Sequence, residues 1–183
     1  MTVTRTGYDI EGWGRGELWL EGGVLVWLEL PRDEPQQQPH PGGEVRPTTH
    51  RQHAKNPVTD VKRDRADSVT IARLVDRLRR YFAGRRVSFA GVAIDLGWCT
   101  PFQLSVARAL RAVPYGEVVT YGELAALAGH PNAQRAAGTF CAHNRVPLVL
   151  PCHRVVAADG IGSYGSLGTG FKRRLLSLEG VEL

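Results

Sequence analysis

The sequence predicts an α+β chain in two parts, a small N-terminal β-sheet with one helix and a mainly helical C-terminal half. Three observations carry that expectation. Two short apolar runs separated by Gly22-Gly23 occupy the first thirty residues, and an apolar stripe at helical spacing runs from Ile71 to Phe82. Beyond Thr100, helix start and stop signals recur with only brief strand-like runs between them. The 183 residues suffice for one or two small domains with a sizeable core. The expected units are 1–96 and 97–183.

Taken in order, Gly16 to Leu20 and Val24 to Leu30 read as strands, with Glu21-Gly22-Gly23 as a hairpin between them. Pro31 ends the second run. From Pro31 to Ala66 the chain is polar and proline-rich, contains Gln36-Gln37-Gln38 and has no apolar periodicity, so a mobile connection is expected there. Asp67 or Ser68 then caps a helix with Ile71, Leu74, Val75, Leu78 and Phe82 on one face, and Gly84 stops it. Val87 to Leu96 returns as a strand. Thr100 caps a further helix with Phe102, Val106, Ala109, Leu110 and Val113 facing inward.

Thr120 and Glu123 have the spacing of a capping box, in which each side chain satisfies the other's backbone amide. Leu124, Leu127 and Ala128 form the apolar stripe of the helix that follows. Gly129 ends it, Pro131 cannot continue it, and Asn132 is placed to cap the next helix. The pair is a candidate helix-turn-helix. Ala133, Ala136, Ala137 and Gly138 give the second helix a nearly side-chain-free surface from which Arg135 projects. Such a surface suits close approach, either to another helix or to the floor of a nucleic-acid groove.

The apolar run Val146 to Leu150 reads as a buried strand that delivers Pro151-Cys152-His153-Arg154-Val155-Val156. A thiol is a useful nucleophile only where positive charge or a base favours the thiolate, and His153 and Arg154 supply both residue types. Adjacent side chains on a strand point to opposite faces, so a turn after Pro151 or a bridging water is needed to join Cys152 to His153. Cys99, Cys141 and Cys152 are odd in number and lack CxxC spacing, which argues against a disulfide framework and a zinc ribbon. A metal site using His130, Cys141, His143 and His153 matches no common ligand spacing. No apolar run is long enough for a membrane span, and no signal-peptide core is apparent; a cytoplasmic protein is expected. The net charge of +5 favours a polyanionic partner. Arg73, Arg77, Arg79, Arg80, Arg85 and Arg86 crowd one segment and Lys172, Arg173 and Arg174 another; each cluster reads as a solvated face or as phosphate contacts.

Together these segments resemble the O6-alkylguanine-DNA alkyltransferases, the methylated-DNA-protein cysteine methyltransferases. The resemblance runs from Pro101-Phe102-Gln103 through Val113-Pro114-Tyr115-Gly116-Glu117, Tyr121-Gly122-Glu123-Leu124-Ala125, Arg135-Ala136-Ala137-Gly138, Asn144 and the Cys152 hexapeptide to Leu175-Leu176 and Glu179-Gly180. Upstream it is confined to Tyr81-Phe82-Ala83-Gly84. It implies a ribonuclease-H-like N-terminal sheet domain and a helical C-terminal domain. It also implies single-turnover transfer of an alkyl group from O6-alkylguanine, or O4-alkylthymine, in double-stranded DNA to Cys152, with no cofactor, metal or obligate protein partner. His153, Glu179 and Asn144 would form and orient a proton relay, and Tyr121 would assist base rotation and leaving-group protonation. Arg135, Ala136 and Gly138 would contact DNA, with Arg135 filling the space of the flipped nucleotide. Val155, Tyr164, Gly165 and Ser166 would line the base pocket. Glu179 alternatively caps a helix, and Tyr121, Asn144 and Tyr164 alternatively serve as core, turn and loop residues. Arg145 stands where the family has proline, and Tyr164-Gly165-Ser166-Leu167-Gly168 departs from the family loop. Rival readings are a non-catalytic lesion binder of the same fold, which would lack Cys152, and a cysteine hydrolase.

Overall fold

The computed structural model describes residues 3–33 and 57–183, with side chains described from Asp67 onward in the second stretch. Three strands, β1 (Thr4–Ile10), β2 (Gly14–Glu21) and β3 (Val24–Arg32), form an antiparallel meander with β2 in the centre. The β2–β3 turn falls on Gly22 and Gly23, whose φ angles of 58° and 84° match the left-handed pair that a tight hairpin requires. β1 was not among the expected strands, because its alternation is mostly of polar residues with only Tyr8 and Ile10 buried. β3 passes through Pro31 to Arg32 rather than ending before it. An edge strand tolerates a proline, which lacks only a donor that the free edge does not use.

Helix α1 (Pro57–Phe82) packs Leu74, Leu78, Tyr81 and Phe82 with Leu18, Leu20, Leu28 and Leu30 in one core. It begins at Pro57, ten residues before the expected cap. Proline suits a first helical position, and the charged run 62–65 propagates a helix without showing an apolar stripe. Asp67 is therefore no cap: it is buried, accepts from the Thr4 hydroxyl at 2.7 Å and from the amide of Gly23, and ties the helix to β1 and the hairpin. The greater part of the expected mobile connection, 34–56, lies outside the described residues. Val87 to Leu96 forms no strand beyond a single bridge from Ile94 to Leu25, although Phe89 and Val92 are buried.

The C-terminal half opens with α2 (Pro101–Ala112), held by a capping box in which Thr100 accepts from the Gln103 amide and Gln103 from the Thr100 amide. A two-residue strand β4 (Val119–Thr120) pairs in parallel with β5 (Val155–Val156). The Thr120–Glu123 capping box forms as its spacing predicts and starts α3 (Tyr121–Leu127). The helix is rotated from the expected phase, since Ala125 is buried with Leu124 while Leu127 is 66% exposed. Gly129 ends it at φ 82°. Asn132 adopts a left-handed turn at φ 69° and does not cap α4 (Gln134–Ala142), which begins after Ala133 without a side-chain cap. Arg135 and Ala136 are exposed, whereas Ala137 is fully buried. α5 (Gly168–Leu178) closes the fold over Leu175 and Leu176.

The two halves share one continuous core and are bonded along the free edge of β3. Leu25 exchanges backbone hydrogen bonds with Ala93 and Asp95 at 2.9 Å, and the Leu28 amide donates to the Arg145 carbonyl at 2.8 Å.

Candidate active site

Val146 and Leu148 to Leu150 are buried as expected, with Pro147 half-buried, but the run makes a turn rather than a strand. Leu148 sits at φ 68°, and a bridge joins Pro147 to Leu150. An all-apolar run cannot distinguish a buried strand from a buried turn. Holding leucine in the left-handed region costs on the order of 1–3 kcal/mol, so the surroundings must impose the shape. Asn144 does much of this: its Nδ2 donates to the Leu150 carbonyl at 2.7 Å and its Oδ1 accepts from the Val146 amide at 3.0 Å. The same Nδ2 lies 3.1 Å from Cys152 Sγ, donating to it.

After Pro151 the chain tightens into a single 3₁₀ turn, Cys152–Arg154. That turn separates the three side chains. Cys152 lines a cavity of about 160 Å³, and His153 points away into the protein, fully buried. Burial pushes the Cys152 thiol above its ordinary pKa, opposed by the hydrogen bond from Asn144, by the nearby Tyr164 hydroxyl and by the charge of Lys172. Burial also lowers His153, against the pull of Glu179, so its imidazole is neutral near pH 7.

Glu179, at the C-terminal cap of α5, is the hub of a buried cluster that takes in His153. Its Oε1 accepts from the Tyr81 hydroxyl at 2.7 Å, from His153 Nε2 at 2.8 Å and from Arg154 at 3.0 Å. Its Oε2 accepts from Arg154 Nε at 2.8 Å and the Gly116 amide at 3.1 Å. Burial alone would raise this carboxyl, but the bonds from His153 and Arg154 outweigh it and hold the pKa at about 2. A carboxylate accepting from Nε2 fixes that nitrogen as the protonated one, leaving Nδ1 as the basic atom; Nδ1 is buried and has no protein partner.

Tyr121, Gly138, Tyr164, Gly165 and Ser166 line the cavity with Cys152, as do Cys141 and Asn144. Tyr121 lies over Gly138, where an added Cβ would meet its ring at 3.7 Å. Its phenol is raised by burial. The Tyr164 hydroxyl is buried beside the thiol without a partner in good hydrogen-bond geometry, and burial holds its pKa well above the ordinary value. Val155, expected in the pocket wall, is instead fully buried in β5 and does not line the cavity. Arg135 and Ala136 stand on the exposed surface of α4, apart from the Glu179 cluster.

Two residues of this assembly, Tyr81 and Lys172, escape the sequence reading of the site, and Arg154 takes a part other than the one expected. Tyr81 looks like one more apolar position of α1, yet its hydroxyl bonds Glu179 and lies 3.3 Å from His153 Nε2. Arg154 is a structural ion-pair partner that also donates to the Val113 carbonyl at 2.7 Å, and not merely a charge beside the thiol. Lys172 sits in a basic cluster but is fully buried. Its ammonium donates to the carbonyls of Val155 and Ile161 at 2.6 Å and Ser163 at 3.5 Å, and so fastens the loop that carries Ser163 and Tyr164. A lysine at the apolar register of α5, three residues before Leu175, was the available signal. Among the described residues no group of His, Cys, Asp and Glu is arranged to hold a metal ion.

A family model, the DNA-binding domain of 6-O-methylguanine DNA methyltransferase, matches residues 101–181. Curated relatives include the methylated-DNA–protein-cysteine methyltransferase of Methanothermobacter thermautotrophicus, 38% identical over 120 residues, or 66% of this chain and 67% of the relative. That of Methanopyrus kandleri is 45% identical over 112 residues, 61% of this chain and 82% of the relative. Among solved structures, the Mycobacterium tuberculosis O6-methylguanine methyltransferase superposes with TM-score 0.69 at 32% identity, covering 97% of this chain and 93% of that one. The M. tuberculosis OGT in complex with DNA gives TM-score 0.68 at 34% identity, covering 96% and 91%. Set beside a cavity-lining thiol and a buried His–Glu pair, these likenesses place the chain in the methylated-DNA–protein-cysteine methyltransferase family.

Proposed function

We propose that the protein repairs alkylated DNA by direct reversal, moving the alkyl group of O6-alkylguanine irreversibly onto Cys152. The observation that carries this reading is the placement of Cys152 in the wall of a cavity, its Sγ held by Asn144, next in sequence to a neutral His153 paired with an ionised Glu179. His153 Nδ1, through a water, takes the thiol proton, and Glu179 stabilises the imidazolium that forms. The thiolate attacks the alkyl carbon in line with the leaving oxygen. The S–C bond forms, the C–O6 bond breaks, and the departing guanine takes up a proton for which the Tyr121 phenol is the donor. A thioether offers water no polarised carbonyl, so one molecule accepts one group.

The alkylated atom is inaccessible in a stacked duplex, and the nucleotide must leave the helix at a cost of a few kcal/mol. α3 and α4 act as the helix-turn-helix, with Ala136 and Gly138 letting α4 lie close to the groove and Arg135 entering the vacated space. The catalytic unit is 97–183, and 1–96 supports it. Among the described residues no helix is long and apolar enough to cross a membrane; a protein that acts on DNA in this way works inside the cell.

Intact-mass measurement after incubation with DNA containing O6-methylguanine tests the reading. One added methyl group, mapped to Cys152 and absent in Cys152→Ala, is expected. An unchanged mass, with the lesion bound but intact, would instead support a non-catalytic lesion binder.

A further inference from the structure

The cavity beside Cys152 is built from both halves of the chain. Cys152, Tyr121 and Tyr164 line it, and so do Trp27, Leu28, Glu29, Leu30 and Arg32 of β3. β3 is an edge strand, and the Leu28 amide bonds the Arg145 carbonyl, next in sequence to the Asn144 that holds Sγ. The wall is thus fixed relative to the thiol by a main-chain bond.

Trp27 is itself held in place. It is half-buried and faces its cross-strand partner Trp19 with ring centroids 5.9 Å apart. Trp19 is in turn anchored by its indole N–H on Glu17 at 2.7 Å and by the Arg5 guanidinium 4.4 Å from its ring. An indole braced in this way offers a substrate a rigid aromatic surface with little ordering left to be done.

In-line displacement aligns sulfur, carbon and O6, so whatever else the alkyl carbon bears must project sideways from that axis into the cavity. A methyl group has nothing to project; a benzyl group places a ring there. We infer that the edge of β3 is a wall of the acceptor pocket and that Trp27 is a specificity-determining residue, favouring O6-alkyl groups that carry an aromatic ring. This rests on the alkyl-transfer reading above.

Single-turnover rates with free O6-benzylguanine and free O6-methylguanine, read as mass added to Cys152, test it without DNA binding. Trp27→Leu should lower the benzyl-to-methyl rate ratio about fivefold, in keeping with the usual strength of an aromatic pair. Trp27→Phe should hold the ratio within about twofold of the parent. An unchanged or raised ratio in Trp27→Leu overturns the inference. Should that variant not fold, hydroxyl-radical footprinting of the parent protein decides: Trp27 should be protected after benzyl transfer and not after methyl transfer, and equal labelling overturns the proposal. A parent protein that gains no mass from either base rejects the transfer chemistry itself, a result distinct from an active protein indifferent to Trp27.

Discussion

Glu179 accepts five hydrogen bonds from four residues, and its ionised state is coupled to the fold as well as to the chemistry. Its folded pKa of about 2 lies below the ordinary 4.5, so the stability it contributes is complete above about pH 4.5 and is lost as pH falls through 2. His153, lowered by burial from 6.5, acts in the same direction: its neutral form is the one the fold favours, and acid below 6.5 opposes it. Urea midpoints measured from pH 7 to pH 2 should therefore decline below about 6.5 and fall most steeply under 4.5. Glu179→Gln should remove the steep part. At pH 7 the variant should be less stable by about 3–5 kcal/mol, because Arg154 would be left buried without its counter-charge. A variant whose midpoint still drops as steeply below pH 4.5 would show that another carboxylate dominates the acid response.

At the scale of elements, α4 carries both the proposed DNA contact and part of the cavity wall. Arg135 is exposed on its first turn, and Cys141 and Gly138 further along it line the pocket. Arg135→Ala should slow alkyl transfer from duplex DNA by tenfold or more and leave transfer from the free base within about twofold, since only the duplex requires the vacated stack to be filled. Equal slowing of both would assign Arg135 to the chemistry or the fold. The limits of the sequence are also visible in these elements. Capping boxes at Thr100 and Thr120 were legible because they are local, complete within four residues and tied to one backbone geometry. The phase of α3 was not, because seven residues fit two registers and only the packing against neighbouring helices selects Ala125 over Leu127 for burial. Asn144 bonds Cys152 and Glu179 bonds His153, pairs drawn from the residues that the motif groups, whereas Tyr81 and Lys172 join through contacts 98 and 17 residues away in the chain, which no local pattern records. Arg145, in place of the family's proline, is braced in another way: its guanidinium lies 4.5 Å from the Trp98 ring, which stacks on Phe140 of α4.

Across the whole molecule, the halves are joined where the site is built. Tyr81 of α1 bonds Glu179 of the C-terminal half, β3 bonds Arg145 and residues 93–95, and Arg174 of α5 donates to the Gly12 carbonyl at 2.9 Å with its guanidinium 3.8 Å from the Trp13 ring. Two units with a continuous core and a shared buried ion-pair cluster should unfold together, since parting them would expose Leu25, Leu28 and Tyr81 and leave Glu179 short of a donor. The chain provides separate reporters for the two parts. Trp13, Trp19 and Trp27 lie in the sheet region, so tryptophan fluorescence follows mainly the N-terminal half, while the capacity of Cys152 to accept an alkyl group follows the other. Titrated with urea, the fluorescence transition and the loss of alkyl-accepting capacity should coincide in midpoint. Tyr81→Phe should move both to lower urea by the same amount, the loss of one buried hydrogen bond to a charged group being worth about 1.5–3 kcal/mol. A fluorescence change completed while Cys152 still accepts an alkyl group at full rate would mean that the sheet is dispensable, and with it the wall that β3 provides.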